Sequence, residues 1–165
     1  MAIEAGGTAT ESRGDGFRAL CAQVEPGLRR ALVAAYGLEV GSEAAADALA
    51  WAWEHLERVE GMVNPGGYLW RVGQTSARRN QPVVWPGLAG DHAGETAEPP
   101  FEPGLRHALA GLTEKQRASV LLVHGYGFSL SEAADQLGCR IRTLRNHLDR
   151  GMAKVRRELG VTDEQ

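Results

Sequence analysis

The stretch from Leu112 to Leu159 constrains this chain more than any other, because two reciprocal helix-start signals and a glycine stop fall close together in it. Thr113-Glu-Lys-Gln116 and Ser129-Leu-Ser-Glu132 each set a hydroxyl three residues ahead of a Gln or Glu. In such a capping box the hydroxyl accepts the backbone N–H of the fourth residue, whose side chain reaches back to the first. The spacing predicts one helix from Thr113 through Val120, Leu121 and Leu122 to a stop at Gly125, and a short helix from Ser129 to a stop at Gly138. Ala133 and Ala134 inside the short helix leave room for a close crossing. After a turn of three or four residues, a third helix is expected from about Ile141 to Leu159. Leu144, Leu148, Val155 and Leu159 form its apolar stripe, with Met152 adjoining. A short helix, a glycine turn and a second helix with an apolar stripe make the helix-turn-helix pattern.

The other face of that third helix bears on function. Arg142, Thr143, Arg145, Asn146 and Arg150 lie away from the Leu144/Leu148 stripe, concentrated in its first half. A recognition helix reads base edges with its N-terminal residues. Arginine can bond bidentate to guanine and asparagine to adenine, while threonine and further arginines hold phosphates. His147 fits two roles, meeting phosphate or covering the apolar stripe.

A composition break precedes this unit. Pro82 to Pro103 carries most of the prolines, several glycines and the acids Asp91, Glu95, Glu98 and Glu102, with little apolar periodicity. Such a stretch cannot bury a core of its own and reads as a flexible linker. The charge also divides along the chain. Met1 to Glu60 sets five arginines against ten acids, a net of −5, whereas Leu105 to Leu159 nets +5. The basic end suits nucleic acid and the acidic end a basic protein surface.

Before the linker, Phe17 to Tyr36 reads as an amphipathic helix with Phe17, Leu20, Val24, Leu28, Ala31, Leu32 and Ala35 inward. A second, Ser42 to about Val59, is expected to turn Leu49, Trp53 and Leu56 inward. Asn64-Pro65 supplies an N-cap and a first-turn proline for a third, which presents Tyr68, Trp70, Arg71, Gln74, Arg78 and Arg79. The first fifteen residues, rich in Gly, Thr and Ser, read as a frayed tail. The fold class expected is all-α: two small helical domains, 16–81 and 104–160, joined by the linker 82–103, with tails at 1–15 and 161–165.

Several classes of function find no support. No apolar run approaches the ~20 residues of a membrane span, and the N-terminus lacks the pattern of a secretory signal. A cytoplasmic location is therefore expected, with no membrane partner. Cys21 and Cys139 are far apart without metal-ligand spacing, and read as small hydrophobes in a reducing compartment. The five histidines are scattered and no phosphate-binding glycine loop is present, so neither an enzyme site, a metal nor a cofactor is expected.

The C-terminal stretch, through Leu112, Gln116-Arg117, Ser129 to Glu132, Ala134, Leu137-Gly138, Thr143, Leu148 and Arg150, resembles region four of the sigma-70 superfamily, and most of all its extracytoplasmic-function (ECF) group. The order and spacing of the N-terminal helices resemble region two of the same family. That resemblance implies a sigma factor, which binds core RNA polymerase and directs promoter-specific initiation. It assigns the −35 element to Arg142, Thr143, Arg145, Asn146, His147 and Arg150. It assigns the −10 element to the loop Glu60–Gly67 with Arg58, Asn64, Tyr68, Trp70, Arg71, Gln74, Arg78 and Arg79. Glu43 and Asp47, spaced i, i+4 on one helix face, fall where the family meets the β′ coiled coil of polymerase. Partners implied are core polymerase, promoter DNA and an anti-sigma factor. Two departures stand out: Ala44 and Ala46 replace larger residues, and the −10 loop lacks basic side chains. A LuxR-like regulator, or a degenerate sigma-like protein that binds polymerase or a regulator without initiating, are the alternatives.

Overall fold

The computed structural model describes residues 5–80, 85 and 103–161, and within them every regular element is a helix. Eight can be named: α1 (Ala5–Tyr36), α2 (Leu38–Glu54), α3 (Leu56–Glu60), α4 (Pro65–Asn80), α5 (Pro103–Ala110), α6 (Glu114–Val120), α7 (Leu130–Gln136) and α8 (Ile141–Glu158).

Helix α1 follows its periodicity: Leu20, Val24, Leu28, Ala31, Leu32 and Ala35 are all buried. It ends where Gly37 turns to a φ of 88°, a conformation that costs a residue with a Cβ. Its start is earlier than composition suggests. The stretch read as a tail is helical from Ala5, and its anchor is aromatic. Phe17 meets Trp53 edge to face at 5.1 Å, and Arg13 lies 5.1 Å over the same ring while donating to the Trp53 carbonyl at 2.6 Å.

The second helix also departs from the expectation. It breaks at His55, whose φ of −120° separates α2 from α3. Its inner stripe is Gly41, Ala44, Ala45, Ala48 and Ala52, whereas Trp53 is 39% exposed. The reason is backbone proximity. A methyl on Gly41 would stand 2.5 Å from the Val33 backbone, and one on Gly73 of α4 would meet Leu32 at 2.6 Å and the Ala44 carbonyl at 3.3 Å. Helices this close have no room between them for a tryptophan, so the small residues face in and the large one faces out.

In the C-terminal half both capping boxes form. Gln116 N–H donates to Thr113 Oγ1 at 3.3 Å and Thr113 N–H to Gln116 Oε1 at 3.2 Å. Glu132 N–H donates to Ser129 Oγ at 3.2 Å and Ser129 N–H to Glu132 Oε2 at 2.8 Å. Beyond α6 the chain makes one wider π-helical turn, Leu121–Gly125. Gly138, at φ 58°, makes the turn into α8.

The two halves share their cores. One apolar cluster joins Leu20, Leu28, Leu32 and Trp70 to Ala118, Leu122, Ala133, Ala134 and Leu144. A second joins Ala34 and Trp85 to Leu109, Leu112, Val120 and Val155. Polar contacts cross the same seam. Arg117, 4% exposed, donates to the carbonyls of Leu109, Leu112 and Ala35 at 3.0–3.2 Å. Burial lowers its pKa to about 10, and the three carbonyls supply the polar partners a buried cation needs. Glu114 accepts from Tyr36 Oη at 2.8 Å and Arg78 Nη2 at 3.1 Å. Within the expected linker, Trp85 is buried in this seam, and residues 86–102 lie outside the described ones.

Candidate nucleic-acid interface

Helix α8 is held by Leu144, Gly151 and Val155, all buried. A methyl on Gly151 would stand 2.8 Å from Val120 Cγ2, so α8 and α6 cross in close contact. Leu148 and Met152 pack along the edge of this stripe, but Leu159 is 42% exposed and the stripe ends at Val155. With that side fixed inward, Arg142, Thr143, Arg145, Asn146 and Arg150 are exposed, as expected. His147 is half-buried on one flank. Its pKa is lowered, first by burial and then by Lys115 and Arg150. Arg140, the residue before the first turn, is exposed as well and lies beside the Gly138 turn.

The α4 side is different. Asn64 Oδ1 caps the helix by accepting from Gly67 N–H at 2.9 Å, and Pro65 opens it, as the sequence predicts. Two residues assigned to the −10 element are not on the surface. Trp70 is 1% exposed, with its ring 6.4 Å from that of Tyr36, and Gln74 is 8% exposed. Both lie on the stripe by which α4 packs into the core. Arg58, Asn64, Tyr68, Arg71, Arg78 and Arg79 reach the surface. Three of these are engaged: Asn64 Nδ2 donates to the Asp135 carbonyl at 2.8 Å, Arg71 to the Gly138 carbonyl at 3.1 Å, and Arg78 to Glu114.

Beside them stands an aromatic group. Trp51 stacks on His55 with centroids 4.1 Å apart, and Tyr68 lies 5.3 Å from Trp51. The Arg58 guanidinium sits 5.9 Å from the Trp51 ring and 5.7 Å from that of Tyr68. Trp51 is half-buried and belongs to this surface group. On α2, Glu43 and Asp47 are both exposed, and Ser76 Oγ donates to the Asp47 carboxylate. Cys21 and Cys139 are half-buried free thiols whose pKa values burial raises.

Residues 104–155, from α5 into α8, match the family model of sigma-70 region 4. The chain is also 37% identical over 62 residues to the ECF RNA polymerase sigma factor EcfG of Rhodopseudomonas palustris strain TIE-1. Both likenesses point to the sigma-70 family, the first of them over the C-terminal third of the chain. The EcfG match takes in 38% of this chain and 34% of the relative, so the chain spans about a third of the length of the curated relative it matches. The fold extends the likeness further. The sigma factor RpoE of Bartonella quintana, solved in complex with the anti-sigma factor NepR, superposes with a TM-score of 0.60 at 20% identity. That match covers 88% of this chain and 97% of the other. The expected all-α class is thus the observed one. Among the described residues no helix is long and apolar enough to cross a membrane.

Proposed function

We propose that this chain is a sigma factor of the sigma-70 family, which binds core RNA polymerase and directs promoter-specific initiation of transcription. The observation that carries the reading is α8. An arginine- and asparagine-bearing face is turned to solvent by a buried Leu144–Gly151–Val155 stripe, within the stretch that matches region 4. In this role Arg142, Arg145, Asn146 and Arg150, with Arg140 at the helix start, read and hold the −35 duplex, and Thr143 takes a phosphate.

On the other half, Glu43 and Asp47 offer a pair of carboxylates on one face of α2 to the β′ coiled coil. Arg58 and Tyr68, joined by Trp51, form a cation–aromatic platform of the kind on which an unpaired base stacks. Arg79 and, once free of the seam, Asn64 and Arg71 follow the backbone of the −10 strand. An anti-sigma factor is a further partner, supported by the NepR complex of the Bartonella protein with this fold. The role calls for no cofactor and no catalytic residue, and it places the protein in the cytoplasm.

In vitro transcription with bacterial core polymerase over a pooled promoter library tests the reading. Enrichment of transcripts sharing −35 and −10 sequences is expected, and reversing charge at Glu43 and Asp47 together should abolish it with helicity unchanged. A chain that binds polymerase but enriches no transcript would favour the second reading, a sigma-like protein that does not initiate. The loop favours that reading, with Glu60 in it and no basic side chain up to Gly67.

A further inference from the structure

Where α4, α6 and α8 come together, a cavity of about 200 Å³ opens between Arg71 and Gln74 of α4, Lys115 of α6, and Thr143 and His147 of α8. Trp70 gives it an apolar wall, and no aspartate or glutamate side chain lines it. A wider cavity of about 460 Å³ joins it through Lys115 and His147 and adds Arg78, Arg117 and Glu114. The Glu114 carboxylate is already engaged by Tyr36 and Arg78.

The positive charge in the smaller cavity is therefore unbalanced. The Lys115 ammonium makes no hydrogen bond or ion pair among the described residues. Arg71 uses one Nη2 bond on the Gly138 carbonyl, at 3.1 Å, and keeps its other donors. The excess reaches neighbouring groups. After burial, Lys115 and Arg150 push the His147 imidazole below its ordinary pKa, and Lys115 draws the Cys139 thiol down against the burial that raises it. Like charges gathered around one cavity repel, and an anion between them turns that repulsion into attraction. At the floor, Gln74 is 8% exposed, and its Nε2 has no hydrogen-bond partner among the described residues. A buried donor without a partner is costly. Turned about its last bond, the amide would present that donor to an acceptor in the cavity.

We propose that this cavity binds a phosphoryl group. Such a group accepts at several oxygens, and Lys115, Arg71, Thr143 Oγ1 and His147 supply donors of the matching kind from three helices. The volume admits inorganic phosphate or the phosphate end of a small monoester, and the same donors suit one backbone phosphate of a nucleic-acid strand. Lys115 has no part in reading either promoter element, so the site stands whether or not the chain initiates transcription.

Isothermal titration calorimetry of the full chain tests this with three probes: inorganic phosphate, pyrophosphate, and a short oligodeoxythymidine without a terminal phosphate, each against chloride at matched ionic strength. Lys115→Gln should weaken the binding seen with wild type about tenfold, the size of one charge-assisted hydrogen bond. Lys115 is exposed in the first turn of α6, where losing a cation does not disfavour the helix, so the variant keeps its fold. Arg157→Gln, which removes an exposed charge in the last turn of α8, should leave phosphate binding unchanged. His147 gives a second readout. By NMR titration its pKa should rise when the cavity is filled, since an anion among Lys115, Arg71 and Arg150 favours the imidazolium.

Binding of phosphate or pyrophosphate that Lys115→Gln weakens assigns the site to a free phosphorylated molecule. Binding of the oligonucleotide alone, weakened by the same variant, assigns it to the backbone of a strand. Binding of none of the three, binding that Lys115→Gln leaves intact, or a His147 pKa that stays put with the probe bound would overturn the proposal.

Discussion

Helices α4 and α8 carry similar charge, yet they meet their surroundings in opposite ways. Each is an arginine-rich helix with a tryptophan or leucines among polar residues. Helix α8 packs along one stripe, Leu144 to Val155, and leaves its arginine face free. Helix α4 buries Leu69, Trp70, Gly73, Gln74 and Ala77 in the N-terminal core and then presses Gly67 and Arg71 onto the turn before α8. The difference teaches that an arginine-rich helix is a candidate for nucleic acid only on the side its apolar stripe leaves open. For α4 that side is partly taken by the protein itself.

The comparison breaks most readily at Trp70. If it is core, Trp70→Ala should cost roughly 3–5 kcal/mol of stability, comparable with or greater than the ~2–5 kcal/mol expected for Leu144→Ala. Denaturant unfolding of the two variants measures both. A Trp70→Ala chain of wild-type stability that had lost only single-strand binding would restore the role that sequence suggested for it.

A smaller effect separates the exposed arginines. Arg145→Ala should lose roughly 1–3 kcal/mol of discrimination at one or two −35 base pairs, read by competition between promoter variants. Arg71→Ala should leave −35 discrimination unchanged. Equal weakening by Arg145→Ala on every sequence would reduce that residue to a phosphate contact.

The smallest effects concern the caps. Ser129→Ala should cost about 1 kcal/mol by leaving the Glu132 N–H without its hydroxyl. Glu132 itself accepts from the Ser129 backbone N–H and interacts with the Ser129 side chain, which holds its carboxyl below the ordinary value. A lowered carboxylate contributes stability that is complete above its unfolded pKa and fades as pH falls through its folded one. Ser129→Ala should therefore flatten part of the decline in stability on acidification, which thermal melts from neutral to acid pH would register. An unchanged slope would show that the backbone N–H of residue 129 alone holds the carboxyl down.

The C-terminal half was legible because its signals are local. A capping box, a glycine stop and a stripe at helical spacing are decided by residues three or four apart, and Thr113, Ser129, Gly138 and Leu144 all act as that spacing predicts. The N-terminal half was legible as helical but not in where its second helix breaks, at His55, nor in the faces its helices bury. Trp53 was expected inside because it is large and apolar, but α1, α2 and α4 approach too closely for it, and alanines fill the interface instead. Trp70 was expected outside as one of the residues assigned to the −10 element, and the packing of α4 against α1 and α2 took it in.

What the sequence determined by itself, then, is the all-helical class, the helix-turn-helix and the outward arginine face of α8, since each follows from interactions along a single stretch of chain; α5 and the break between α2 and α3 were not read from it. Which face of α4 is spent, where Trp53 and Trp70 lie, and that Trp85 closes a seam between the halves were decided only by the tertiary structure. Each depends on how near two backbones come when segments distant in sequence pack. That distance is set by small residues on both sides at once, Gly67 against Gly138 and Gly41 against Val33, and no single stretch of chain contains both partners.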